Sequence, residues 1–179
     1  MTQIGNVYAQ GLYSLAKEEG LEKTILQELD TLQQAFQENQ DFVKILASPS
    51  LSKNERCALL DDSFRGRVQP YVLNYLKILT EKGYVRHFSD SCKAFRRQYN
   101  EDNGILPVTA VTAVAMTASQ QERLTKKLSQ VTGKTVELEC QIDPDCLGGV
   151  RLDYDGRRVD GTVKNRLESI AALLKNTVL

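Results

Sequence analysis

The side chains of this chain that could do chemistry are few, and their spacing does not bring them together. His87 is the single histidine, so a cluster of imidazoles around a metal is excluded. No Cys-His or G-x-S-x-G pattern accompanies it to make a nucleophile, and it reads as a partly exposed helical histidine. Cys57, Cys92, Cys140 and Cys146 contain no C-x-x-C pair, which argues against a zinc site or a disulfide framework and for buried thiols in a reducing compartment. Asp61 and Asp62 are adjacent and lie about 100° apart on a helix, so they diverge instead of flanking a substrate as acid and base. They predict a solvated acidic face. Asp143, Asp145, Asp153 and Asp155 lack the spacing, central Gly and closing Glu of an EF-hand loop, and turn formation explains them better. Gly148-Gly149 has no following Lys and Ser/Thr and precedes a strand pattern, so it marks a tight turn or bulge and not a phosphate cradle. Arg151, Arg157, Arg158, Lys164 and Arg166 form a basic cluster without interleaved aromatics, which favours a protein-facing or solvated patch over base stacking. No catalytic residue, cofactor or metal is predicted, and the residues point to a binding or linking protein.

Composition narrows the partners. The 23 Lys plus Arg are balanced by 23 Asp plus Glu, which removes the electrostatic footprint of a general nucleic-acid binder. With 41% hydrophobic and 26% charged residues over a length of 179, the chain is expected to be soluble and to build a core without disulfides or metals. Its longest nearly unbroken apolar run, Val108 to Met116, contains threonines and is far too short for a membrane span. The start, Met1-Thr2-Gln3-Ile4-Gly5, has no signal-peptide character, and Glu18, Glu19 and Glu22 argue against a transit peptide.

The elements that hold these residues fall into two groups. Up to Gly104, apolar residues recur at three- and four-residue intervals between clear stops, predicting six helices in an antiparallel bundle. Ile4, Val7, Tyr8, Gly11, Leu12 and Leu15 make the first stripe, ended by Gly20. Ile25, Leu29, Leu32 and Phe36 make the second, and a short piece from Phe42 to Leu46 is closed by Pro49. Ser52 to Glu55 is a capping box for a stripe of Cys57, Leu60 and Phe64. Pro70 opens a fifth helix that is apolar nearly all round, with Tyr71, Val72, Leu73, Tyr75, Leu76, Ile78 and Leu79, and such a helix needs a second neighbour. The sixth carries Val85, Phe88, Cys92, Phe95 and Tyr99.

Beyond Gly104 the pattern predicts a strand from Pro107 to Met116, covered on both faces. A helix opened by a capping box at Ser119 to Glu122 and a half-buried strand alternating through Val136, Leu138, Cys140 and Ile142 follow it. Val150, Leu152 and Tyr154 form a strand turning at Asp155-Gly156 into a hairpin, and Asp160 caps a closing helix with Val163, Leu167, Ile170 and Leu174. The expected architecture is a domain of residues 1–104, an all-α six-helix bundle, followed by a small α/β domain of residues 105–179 with a β-α-β-β-β-α mixed sheet.

Particular segments also carry a resemblance. Ile142-Asp143-Pro144-Asp145-Cys146-Leu147-Gly148-Gly149-Val150 is similar to the D-x-x-L-I-G-G signature of the delta subunits of bacterial F-type ATP synthase, the family of the oligomycin-sensitivity-conferring protein. Asp160-Gly161-Thr162-Val163-Lys164-Asn165-Arg166-Leu167 resembles its D-x-S-V-x-x-R-L continuation. Tyr8-Ala9-Gln10-Gly11-Leu12 and Tyr75-Leu76-Lys77-Ile78-Leu79 before Gly83 extend the likeness over the whole chain. Cys146 stands where an aliphatic residue is usual, Thr162 where Ser is usual, and Tyr84 where Arg is common; the last puts any cation at that position in doubt.

The resemblance implies a non-catalytic peripheral-stalk, or stator, subunit. Its N-terminal bundle would grip the N-terminal helices of alpha subunits, its C-terminal domain would meet the b subunits, and the whole would sit peripherally on the cytoplasmic face of a bacterial membrane. It would bind no cofactor, metal or nucleic acid and would not insert in the bilayer. The groove between helices 1 and 5 would take the alpha helix. The periodicity supplies candidates there: Tyr8, Gly11, Leu12 and Leu15 on helix 1, and Tyr71, Asn74, Tyr75 and Ile78 on helix 5. Asp143, Gly148, Gly149, Asp160, Val163 and Leu167 are read as structural. A small RNA- or protein-binding adaptor is the alternative, with Arg157 and Arg158 as its best feature.

Overall fold

The computed structural model describes residues 3–165 and residue 167. Two compact units divide between Tyr99 and Asn100. The first is helical and the second mixes helix with sheet.

In the first unit α1 spans Gln3–Glu18, α2 Glu22–Glu38, α3 Gln40–Leu46, α4 Lys53–Phe64 and α5 Pro70–Glu81. A single 3-10 turn, Val85–His87, leads into α6, Phe88–Asp102, so the last helix starts later than Val85 and the division of the chain falls inside it. The capping box of α4 forms: Glu55 N–H donates to Ser52 Oγ at 3.3 Å and Ser52 N–H to the Glu55 carboxylate at 2.8 Å. Pro70 sits in the first turn of α5, where its missing N–H costs no hydrogen bond.

The core of this unit gathers Ile25 and Leu29 of α2, Leu60 of α4, Val72, Leu76 and Leu79 of α5 and Phe95 of α6, all essentially inaccessible. Helix α1 corrects the expected stripe. It buries Ala9, Leu12, Tyr13 and Ala16, while Val7 is 63% exposed. The two alanines present a narrow surface on which a neighbouring helix can close, and this turns Val7 and Gly11 outward. At its start Gly5 is buried, and a Cβ there would lie 3.0 Å from Asp90 Cβ of α6.

The second unit contains β1 (Ile105–Thr112), α7 (Ala118–Thr132), β2 (Thr135–Ile142), β3 (Val150–Tyr154) and β4 (Arg157–Asp160), with sheet order β2-β1-β3-β4. β1 pairs parallel with β2 over eight positions, Ile105 opposite Thr135 through Thr112 opposite Ile142. It pairs antiparallel with β3, which forms the hairpin with β4. Leu106, Val108 and Val136 centre a small core joined by Leu128 of α7, Leu138, Leu152 and Tyr154. At the hairpin, Asp155 and Gly156 both have positive φ, 47° and 71°, the mirror-image turn that matches strand twist.

Three boundaries move from those expected. β1 begins two residues earlier and stops at Thr112, whose hydroxyl donates to Val114 O at 2.8 Å and turns the chain. The box opening α7 is Thr117 to Gln120, not Ser119 to Glu122: Gln120 N–H donates to Thr117 Oγ1 and Thr117 N–H to the Gln120 side chain. At the closing helix, the Asp160 carboxylate accepts from Thr162 N–H and Oγ–H, and Thr162 Oγ in turn accepts from Asn165 N–H. Thr162 is therefore the cap and Asp160 supports it. Val163, Lys164, Asn165 and Leu167 are helical; Arg166, Ile170 and Leu174 lie outside the described residues.

Candidate functional site

Helices α1 and α5 pack side by side, and the eight candidate partner-binding residues divide by exposure. Gly11, Asn74 and Ile78 face outward, Tyr8, Leu15 and Tyr71 are half-buried, and Leu12 and Tyr75 belong to the core at 6% exposure each. For Leu12 and Tyr75 this is a correction: both point along the stripes that hold α1 and α5 to their own neighbours, so neither has surface to offer. Val7, one turn before Gly11, takes their place as exposed apolar surface. The spacing of Val7 and Gly11, four residues apart, was the available signal.

Nothing lies within 4 Å of the position that a Gly11 Cβ would occupy, so the unit's own packing does not require this glycine. In mid-helix a glycine is unfavourable by about 1 kcal/mol relative to alanine. Ile78 is 44% exposed on a helix whose opposite side is fully buried. Tyr84, just beyond α5, sets its ring 5.8 Å from that of Tyr8 and 6.3 Å from His87. It thus closes the end of this surface with aromatic rings where a cation was in question. His87 is half-buried and lies in the 3-10 turn.

Charges beside this surface have structural work. Asp61 is not simply solvated: it accepts from Lys77 of α5 at 2.8 Å and pairs with Arg65 at 3.1 Å. The Lys77 ammonium, and then Arg65, hold its carboxyl below the usual carboxylate range. Asp62 is exposed. Arg56, a residue the periodicity did not mark, is buried on α4 and donates to Leu46 O at 3.1 Å and to Thr80 O at 3.2 Å, tying the ends of α3 and α5 together.

In the second unit the six motif residues come together as one clasp, with the exception of Leu167. Asp143 accepts from Asp145 N–H, opening a 3-10 turn over Pro144–Cys146. Gly148 O accepts from Val163 N–H at 3.0 Å, and Val150 O from Gly161 N–H at 3.0 Å. A Cβ on Gly149 would stand 2.5 Å from Gly161 O, and its φ of 80° is itself unfavourable for other residues. The glycine pair and Asp160 to Val163 are thus two sides of one backbone contact. Leu167 is 54% exposed.

Two members of the basic cluster are paired: Arg158 Nε donates to Asp153 at 2.7 Å and Arg151 Nε lies 3.4 Å from the same carboxylate, while Arg157 and Lys164 are exposed. Arg158, then desolvation opposing it, sets the balance that leaves Asp153 below its usual range. Arg166 lies outside the described residues. The four cysteines are unbonded thiols. Burial pushes Cys92 up to about 12 and also raises Cys57 and Cys146, which keeps these groups from acting as thiolates. Among the described residues no three His, Cys, Asp or Glu converge on a metal position, and no helix is long and apolar enough to cross a membrane.

Comparison with known proteins agrees along the whole chain. The profile of the ATP synthase delta (OSCP) subunit family matches residues 4–174. The chain is 31% identical over 176 residues to ATP synthase subunit delta of Clostridioides difficile (strain 630), covering 98% of this chain and 97% of that protein. It is 32% identical over 168 residues to ATP synthase subunit delta of Lacticaseibacillus casei (strain BL23), covering 93% and 92%. In fold it is similar to a chain of the Toxoplasma gondii mitochondrial ATP synthase hexamer, with a TM-score of 0.76 at 19% identity over 97% of this chain and 98% of that one.

Proposed function

The chain belongs to the ATP synthase delta (OSCP) subunit family, and from that premise we propose how a chain with no catalytic machinery serves the enzyme. It is a non-catalytic stator subunit of the F-type proton-translocating ATP synthase, part of the peripheral stalk through which hydrogen-ion transport is coupled to ATP synthesis. A rotary motor works only if its catalytic head is held against the torque of the rotor. Holding is a matter of affinity at two separated points, and two folded units in one chain provide them.

In this reading residues 1–104 grip the amphipathic N-terminal helices of alpha subunits in the groove between α1 and α5. Residues 105–179 meet the b subunits, and the complex carries the chain on the cytoplasmic face of a bacterial membrane. The observation that supports the first grip is the glycine that the fold itself does not use: Gly11 stands open on α1, with Val7 on one side and Ile78 exposed on the adjoining α5. A helix can approach closely over a glycine and bury its own apolar stripe on such a surface. Of the two arginines that favoured an RNA-binding alternative, Arg158 is paired with Asp153.

Membranes lacking the native subunit test the proposal. Adding the full chain is expected to restore ATP-driven proton pumping, and a Gly11→Arg chain to fail while remaining folded. Full coupling by the Gly11→Arg chain would overturn the groove assignment.

A further inference from the structure

The sheet of the second unit ends on β2, and that edge is long and regular. β2 is an outer strand of eight residues, with no bulge in its register against β1 and no proline or lysine along it. Natural edge strands are normally blunted by just these devices. The direction of its free groups follows from two hydrogen bonds: Thr135 N–H donates to Gly104 O and Asp143 N–H to Thr112 O. Odd-numbered residues of β2 therefore bond to β1, and in a parallel ladder the alternate residues direct both N–H and C=O the other way. Val136, Leu138, Cys140 and Ile142 thus turn their N–H and C=O groups to the open edge, where, among the described residues, no strand pairs with them.

The side chains decide what fits. Glu137 and Glu139 are exposed on one face of the strand, and Leu138, Cys140 and Ile142, from half-buried to 59% exposed, lie on the other. A second copy adding itself antiparallel about Leu138 would set each Glu137 against Glu139 of the other copy, and like charges directly opposite destabilise a strand pair. An extended segment alternating Lys or Arg with β-branched residues instead pairs its cations with Glu137 and Glu139 and covers the apolar row. We propose that the outer edge of β2 is a strand-addition site for a basic, alternating, extended segment of a partner polypeptide, with Glu137 and Glu139 rejecting self-pairing and selecting the cationic strand. This is independent of the α1 and α5 groove and of which subunit supplies the segment.

The test uses the full chain and a soluble synthetic peptide alternating lysine and valine. Binding is expected, with slowed amide exchange by NMR at Leu138 and Cys140, which face the edge. The amides of Glu137 and Glu139, already bonded to β1, should change little. N-methylation of alternate peptide residues should abolish binding, and Glu137→Lys with Glu139→Lys should weaken it at least tenfold at an unchanged melting temperature. If that pair of substitutions lowers the melting temperature, Glu137→Gln with Glu139→Gln is read instead, with a smaller but measurable loss. No binding, equal binding of the N-methylated peptide, or equal binding of a peptide alternating glutamate and valine would each overturn the proposal.

Discussion

At the scale of single residues, two glycines with opposite surroundings separate binding from folding. Gly11 is helical with open space at its Cβ position, so Gly11→Ala is expected to raise stability by about 0.5–1 kcal/mol through backbone entropy. Affinity for an alpha N-terminal peptide should nonetheless fall, because the added methyl group holds the incoming helix away; a melt and a titration of one sample check both signs. Gly149→Ala should do the reverse of helping: its Cβ meets Gly161 O, and a loss of about 2 kcal/mol or more in chemical denaturation is expected. Asp61 supplies a pH dependence. Its folded pKa is lowered by Lys77 and Arg65, so its contribution is present above the ordinary carboxylate range and is lost as pH falls through the folded value. Asp61→Asn should therefore lower the melting temperature at neutral pH, and the gap from the parent chain should narrow at about pH 3. A gap that widens in acid would contradict the ion pair's role. The reach from Asp61 to Lys77 was not legible in the sequence, since it depends on how α4 meets α5, whereas Arg65 stands four residues on at helical spacing.

Elements were legible wherever local chemistry alone selects them. The box at Ser52 to Glu55, Pro70 in the first turn, and the turn at Asp155-Gly156 each satisfy or preset backbone groups without help from the rest of the fold. Where two local solutions compete, sequence does not choose. Thr117-x-x-Gln120 and Ser119-x-x-Glu122 both carry capping grammar, and the earlier one wins because β1 ends at Thr112 and leaves the chain free to start a helix at Ala118. Thr117→Ala should then cost about 1 kcal/mol, and Ser119→Ala should stay within about 0.5 kcal/mol. Equal losses would mean that the start of α7 is shared between them. The face of α1 was misjudged for a related reason: periodicity counts large apolar residues, whereas the buried side is set by Ala9 and Ala16, whose small size lets a neighbour close on them. Leu12 and Tyr75 entered the candidate surface because a large apolar residue at helical spacing reads the same whether it faces its own core or a partner.

At the scale of the whole molecule, two compact units in a chain of the ATP synthase delta (OSCP) subunit family fit a stator part that transmits force. The stator role rests on binding, so the central claim is that the outward residues of α1 and α5 hold a partner helix while the inward ones hold the fold. Ile78 lies at the centre of that distinction, 44% exposed beside fully buried Leu79 and Leu76. The most direct measurement is calorimetric titration of the full chain and its Ile78→Asp variant with a synthetic alpha N-terminal peptide, with a thermal melt of each sample. A charge set into the partner's apolar stripe is expected to cost about 2 kcal/mol or more of binding, with a melting temperature close to that of the parent. Unchanged binding would contradict the groove, and lost binding with a collapsed melt would make Ile78 part of the core and not of the grip.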